Sequence, residues 1–275
     1  MSILIDSFTF VGPNGDLATD IHRVPSGMSS KGTIIFAHGY KGFKDWGAWH
    51  LMGDNFAEAG WEFVRFNFSH NGHLSSDQMN CSDESAWSRN NYSIEKSALV
   101  FMLSRSRSPF ADNEKLIVMG HSRGGGIAAL AASEVLVDKI VLLASVSDFG
   151  ARFPKGAELI KWQQSNMLKV LNTRTGLTLT HQYAFYEDFV NNSAALDIET
   201  AVRSLSGQLL VIHGEDDKAV SPSEGKNIAN WAELGEYYGI SNTGHTFDIS
   251  HPWTLRDLPS GALILVEKTL EFLDR

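Results

Sequence analysis

The sequence predicts an α/β protein with a mostly parallel central sheet, helices on both faces and an antiparallel hairpin at its N-terminus. Three observations predict it. Apolar, β-branched stretches recur along the chain, each followed by a turn signal and then a segment with helical spacing. That alternation is the pattern of parallel strands joined by crossover helices. At 275 residues, with 43% hydrophobic and 20% charged residues, the chain slightly exceeds the roughly 250 that one α/β unit reaches, which suits a single core with an insertion.

Taken in order, residues 8–11 and 21–24 flank Gly12-Pro13-Asn14-Gly15, a turn composition, and read as the hairpin. Buried strands follow at 33–37, 62–68, 115–119, 139–144, 208–213 and 236–240, each a short run of aliphatic or aromatic residues. Between them, 49–59, 94–103, 123–136, 223–234 and 261–273 space their apolar residues as helices that coat a sheet. Two stretches break the alternation: 69–91 is polar and rich in Ser, Asn and Asp, and 147–206 is long, aromatic and without an evident buried strand. Loops of such length in a compact domain are commonly functional. With no internal repeat or low-complexity linker, residues 1–275 read as one domain carrying an insertion at 147–206.

The sharpest chemical signal is residues 115–126, Lys-Leu-Ile-Val-Met-Gly-His-Ser-Arg-Gly-Gly-Gly, followed at once by Ile-Ala-Ala-Leu-Ala-Ala. A buried strand ends at Gly120, Ser122 occupies the turn and a small-residue helix begins, the context of a G-x-S-x-G nucleophile elbow. Gly120 and Gly124 leave room for a strained turn that projects the serine oxygen, and the helix N-terminus behind it offers free N–H groups to a developing oxyanion. The alternative for these residues is a glycine-rich turn that serves packing alone. Dinucleotide and P-loop phosphate binding lack their spacings. A serine hydroxyl needs a base, and that base needs a carboxylate to orient it. Candidates stand after later strands: His213-Gly-Glu-Asp-Asp-Lys carries Glu215, Asp216 and Asp217, and Asn242-Thr-Gly-His carries His245. Asp148, after the preceding strand, is a further candidate acid.

The order Ser, Asp, His, with these motifs, resembles the α/β-hydrolase superfamily from about Thr33 to the C-terminus. The resemblance implies that Asp217, in His213-Gly-x-x-Asp217-x-x-Val220, is the acid, and that His245, after Gly244, is the base. It implies an oxyanion hole made by the backbone N–H groups of Tyr40, after His38-Gly39, and of Arg123. In many relatives a Gln or Met follows the nucleophile, so the Arg123 side chain departs from the pattern; it is read either as biasing substrate choice or as a surface side chain paired with a carboxylate. His38 and His121 are read as orienting loops. The insertion at 147–206 falls where many members carry a cap or lid, and Trp46, Phe149, Phe153, Trp162 and Tyr186 are candidates to line an apolar or aromatic substrate pocket. The likeness is greatest to cinnamoyl and feruloyl-type carboxylesterases and to prolyl-oligopeptidase-like domains. It implies a serine hydrolase that cleaves a small-molecule carboxylic ester and requires no cofactor. A peptidase and a non-catalytic binding protein on the same scaffold remain as alternatives.

Composition excludes other classes. Lys and Arg number 23 against 32 Asp and Glu, a formal net charge of −9, with no basic run to follow a phosphate backbone, so nucleic acid is not an expected partner. His70 and His73 invite a metal reading but lack a third ligand at metal spacing, and read as loop residues. The lone Cys81, the absence of a basic-then-apolar start and the absence of an apolar run of about 18 residues lead to the expectation of a cytoplasmic protein that does not enter a membrane.

Overall fold

The computed structural model describes residues 3–73, 81–105, 115–172 and 176–275, so residues 74–80 of the polar stretch and 173–175 of the insertion lie outside the described residues. The hairpin is β1 (Ile5–Gly12) and β2 (Gly15–His22), followed by β3 (Gly32–Ala37), α1 (Trp49–Glu58), β4 (Trp61–Phe66), α2 (Glu84–Arg89) and α3 (Tyr92–Ser104). Then come β5 (Leu116–His121), α4 (Arg123–Ala132), β6 (Lys139–Leu143), α5 (Ala157–Ser165), β7 (Leu168–Leu171), β8 (Thr178–His181), α6 (Ala184–Asn191) and α7 (Ile198–Arg203). The chain ends with β9 (Gln208–Gly214), α8 (Pro222–Trp231), β10 (Gly235–Ile240) and α9 (Ser260–Leu273).

Eight strands form one sheet in the order β1-β2-β4-β3-β5-β6-β9-β10. β1 to β2 and β2 to β4 are antiparallel, and every later pair is parallel. β5 therefore lies inside the sheet, with Gly120 in register with Ala37 on one side and Leu142 on the other. The alternation read from the sequence is this architecture. One face is covered by α1 and α9, whose Trp49, Phe56 and Leu265 pack on Ile34, Phe36 and Phe63. The other is covered by α3, α4, α7 and α8 around Val118, Ile127, Val202 and Ile228. Among the described residues no helix is long and apolar enough to cross a membrane.

The structure corrects two readings. The stretch 69–91 ends in a helix, α2, and 147–206 holds three α-helices and a separate two-stranded antiparallel sheet, β7 and β8. Capping side chains mark the starts of α2 and α7: Asp83 accepts from Ala86 N–H at 2.8 Å and Asp197 from Thr200 N–H at 3.2 Å. The helix expected at 123–136 stops at Ala132, where the Ser133 hydroxyl turns back to the Leu130 carbonyl.

A buried ionic network ties the hairpin to β4 and to the loop after β3. Lys44 Nζ donates to Asp20 at 2.6 Å and to Asp45 at 2.7 Å, and Arg65 Nη2 meets Asp20 at 2.8 Å and also bonds Asp45. Arg65 Nε donates to His22 Nε2 at 2.8 Å, so the His22 proton sits on Nδ1 and is given to Asp54 at 2.7 Å. Burial lowers the His22 pKa despite the neighbouring Asp54, in keeping with a neutral ring. Removing one partner from such a network leaves a buried charge uncompensated. Asp20→Ala is therefore expected to destabilise the protein by about 3–5 kcal/mol in urea unfolding. Lys31→Ala, which removes the exposed pair with Asp274, should cost about 0.5 kcal/mol or less. Equal costs would contradict this account of the network.

Candidate active site

The C-terminal ends of β3, β5, β9 and β10 and the loops after them converge on Ser122. That residue sits between β5 and α4 with φ 57° and ψ −119°, a conformation L-residues rarely adopt. The turn closes because its flanks lack side chains. A Cβ on Gly120 would lie 2.2 Å from the Gly124 carbonyl oxygen, and one on Gly124 would lie 2.3 Å from that of Ala37. Ser122 N–H is held by the Leu143 carbonyl of β6 at 2.8 Å.

His245 stands in the loop after β10. Its Nε2 lies 3.0 Å from Ser122 Oγ, and its Nδ1 lies 2.7 Å from Asp217 Oδ2. A carboxylate only accepts, so the imidazole proton resides on Nδ1, and Nε2 is left to accept from the serine hydroxyl. Asp217, in the turn after β9, is buried. Its Oδ1 accepts from the N–H groups of Ala219 at 2.7 Å and Val220 at 3.0 Å, while Oδ2 also faces His213 Nε2 at 3.1 Å. Burial would raise the Asp217 carboxyl, but the hydrogen bonds from His213, His245 and Val220 outweigh it and hold the group well below the ordinary carboxylate range. The two loops interlock, since a Cβ on Gly214 would lie 2.4 Å from the carbonyl oxygens of Thr243 and Gly244.

The other candidate acids do different work. Asp148 accepts from Gly150 N–H at 2.7 Å, and Glu215 accepts from the Ser241 hydroxyl at 2.6 Å. Two further histidines position loops. His121 Nε2 donates to the His245 carbonyl at 2.9 Å; His38 Nδ1 donates to the Gly39 carbonyl at 2.9 Å while its Nε2 faces Asn71 at 3.3 Å. Burial pushes both down to about 3, so both rings are neutral near pH 7. Across from Ser122, the loop after β3 comes so close that a Cβ on Gly39 would lie 3.0 Å from the serine Cβ. Among the described residues, the backbone N–H groups of Tyr40 and Arg123 have no hydrogen-bond partner. His73 stacks on Phe43, with ring centroids 4.3 Å apart, and His70 bonds Ser69 at 3.0 Å. Among the described residues no group of three or more His, Cys, Asp or Glu could hold a metal.

Two cavities meet at Ser122 and His245. The one beneath residues 147–206, of about 420 Å³, is lined by Phe149, Phe153 and Trp162, as expected, and by Tyr92, His181 and Phe185. Tyr186 lies behind this wall, its ring 5.2 Å from that of Phe153. Trp46 lines the other cavity, of about 390 Å³, together with Trp49, His121 and Thr246. The Arg123 side chain is buried, 3.3 Å from Glu95, with its guanidinium 4.0 Å above the Tyr40 ring. It is thus paired with a carboxylate, but inside the cavity wall and not on the surface. Sequence reasoning missed Tyr92 and His181: Tyr92 opens a helix behind the cap Asn91, and His181 ends β8 in a segment with no helical or strand periodicity long enough to read.

The α/β hydrolase fold family model matches residues 32–191, more than half of the chain. No curated protein matches the chain in sequence. Among solved structures, the chain is similar to Est1E from Butyrivibrio proteoclasticus with ferulic acid bound, at 15% identity, covering 97% of both chains with a TM-score of 0.74. It is also similar to the esterase domain of a Rhodothermus marinus protein, at 18% identity over 98% of this chain and 97% of that one, TM-score 0.64. A dienelactone hydrolase from Anabaena variabilis aligns at 14% identity over 100% and 98%, TM-score 0.65. At these identities the likeness is one of fold.

Two expectations follow from the geometry. Gly124→Ala drives a Cβ into backbone and should cost about 1–3 kcal/mol or more, whereas Gly244→Ala, with nothing within 4 Å of the added atom, should stay within about 0.5 kcal/mol. Urea unfolding of both variants checks this, and similar losses would contradict it. The second concerns Asp217. A carboxyl depressed in the folded state stabilises at every pH above its unfolded value of about 3.9 and loses that contribution as pH falls below it. The stability difference between wild type and Asp217→Asn should therefore be flat at neutral pH and shrink below about pH 4. A difference that grows on acidification would contradict the assignment.

Proposed function

The chain belongs to the α/β hydrolase family, and from that premise we propose that it is a serine hydrolase that cleaves carboxylic esters by a Ser122-His245-Asp217 triad. The observation that carries this reading is the unbroken hydrogen-bond chain, 3.0 Å from Ser122 Oγ to His245 and 2.7 Å from His245 to Asp217. His245 Nε2 takes the serine proton as Oγ attacks the ester carbonyl carbon, and the ionised Asp217 stabilises the imidazolium that results. The N–H groups of Tyr40 and Arg123 receive the oxyanion, each donor contributing on the order of 3 kcal/mol to the transition state. Collapse breaks the carbonyl–alkoxy bond; the leaving alcohol takes the proton from His245 and the acyl group stays on Ser122. A water deprotonated by His245 then attacks the acyl-enzyme, and the proton returns to Ser122 as the acid leaves.

The residues 147–206 act as a cap over the nucleophile. Two tethers support this: Tyr40 Oη lies 2.9 Å from His181, and Lys41 Nζ donates to the Leu171 carbonyl at 2.8 Å. An acyl group with apolar or aromatic character suits the walls of Phe149, Phe153, Trp162 and Phe185. Ferulic acid, bound to Est1E of the same fold, is an aromatic acid of comparable type.

A fluorophosphonate probe should label Ser122 in the wild type and nothing in Ser122→Ala. With p-nitrophenyl acyl esters, Ser122→Ala should lose on the order of 10⁶-fold in kcat and Asp217→Asn on the order of 10⁴-fold. Turnover of aminoacyl anilides without ester turnover would assign the same site to a peptidase, and absence of both labelling and turnover would leave a binding protein.

A further inference from the structure

The Arg123 side chain has no part in the mechanism above beyond its backbone, yet it is buried beside the nucleophile. We propose that its guanidinium recognises a free carboxylate on the portion of the substrate that fills the cavity beneath residues 147–206, so that the preferred esters carry an acid group as well as the scissile bond. This rests on the hydrolase reading.

The argument starts with the donors. The sole hydrogen bond that the guanidinium makes to described residues is from Nη1 to Glu95 Oε1, at 3.3 Å. That is longer than the roughly 2.7–2.9 Å of a well-formed charge-assisted bond. Nε and Nη2 have no partner among the described residues, and the side chain keeps 10% of its surface exposed. The guanidinium lies over the Tyr40 ring at 4.0 Å, with Tyr92 at 5.0 Å and Phe185 at 5.3 Å. Rings thus pack around the group, and the N–H edge that Glu95 does not bond is a fork that matches a planar carboxylate. A wholly apolar substrate would strip water from that edge and return no acceptor.

The charge on the cavity surface has the same sign. Among the described residues its lining includes Arg123 and Arg152 but no Asp or Glu; their counter-ions, Glu95 and Glu224, stand outside it. Glu95 is itself under-bonded: Oε1 is held by Asn90 Nδ2 at 2.6 Å, while Oε2 is buried without a partner among the described residues. Burial raises the Glu95 carboxyl above its ordinary range although Arg123 and Asn90 oppose the shift. A proton taken up there would leave Arg123 free to offset the substrate's negative charge.

Two ester pairs place the acid on either side of the scissile bond. One is the p-nitrophenyl monoester of glutaric acid against its methyl-capped form; the other is butyryl 4-hydroxybenzoate against its methyl ester. In the wild type, one pair should show kcat/KM at least about tenfold higher for the free acid. Arg123→Met should bring that ratio to about one or below, Arg123→Lys, which keeps charge without the fork, should give an intermediate ratio, and Glu95→Gln should raise it. The ratio is the readout, because the Arg123 backbone belongs to the oxyanion hole. Binding of both ester pairs to Ser122→Ala by calorimetry is independent of turnover. In the pair that carries the acid on the recognised side the free acid should bind more tightly, and a second substitution, Arg123→Met, should erase most of the difference. Ratios near or below one in both pairs, a preference untouched by both Arg123 variants, or equal binding within both pairs overturns the proposal. Loss of all ester turnover with the binding difference intact overturns the hydrolase reading alone.

Discussion

The close passage of β5 into α4 at Ser122 is the constraint on which the rest of the structure depends. A positive φ at a residue with a Cβ persists only where its surroundings over-determine it. Here they are backbone: the Gly124 carbonyl beside Gly120, the Ala37 and His38 carbonyls beside Gly124, and the Leu143 carbonyl on Ser122 N–H. Strand order makes this possible. β5 runs between β3 and β6 in parallel register, so three strand ends meet where the serine leaves the sheet. The two outer parallel strands, β9 and β10, bring their loops to the same edge, which is why an acid and a base far apart in sequence can stand within hydrogen-bond reach.

Around that turn one anion, Asp217, faces the imidazole that reaches Ser122. Asp217 accepts four hydrogen bonds, two of them from backbone N–H groups that no side-chain motion can withdraw. His121 and His38 are neutral by burial and act as rigid struts, one holding the backbone of His245 and the other the start of the loop that carries Tyr40. Farther along the same loop, Lys44 is clamped to Asp20, and its N–H donates to Asn67 at 2.7 Å. The buried ionic network and the loop that carries Tyr40 are thus parts of one segment, and its stability bears on the geometry at Ser122.

The strand–helix alternation, the elbow, and the positions of Asp217 and His245 were legible because each rests on local residue types at short spacing. Gly120, Ser122 and Gly124 state their geometry within five positions. The content of 147–206 was not legible for an equally physical reason. Among the described residues β7 and β8 pair only with each other, and neither run exceeds four residues, so the alternation of buried and exposed positions is too short to read as a strand. The division of labour between Trp46 and the Phe149–Phe153–Trp162 wall was also hidden, because it depends on which side of Ser122 each loop falls. Asp20, Lys44 and Arg65 carry no spacing signal at all; their pairing is made by sheet register, Asp20 opposite Arg65 between β2 and β4. The capping residues Asp83, Asn91 and Asp197 were readable signals for three helix starts.

The central claim is that Ser122 carries the acyl group between two half-reactions, and intact and peptide mass spectrometry of the protein acid-quenched during turnover of a slow p-nitrophenyl ester tests it most directly. The account requires an acyl-sized mass increase on the peptide containing Ser122, disappearing once substrate is exhausted and absent from Ser122→Ala. Sustained ester turnover with no adduct, or with the adduct on another residue, would contradict it.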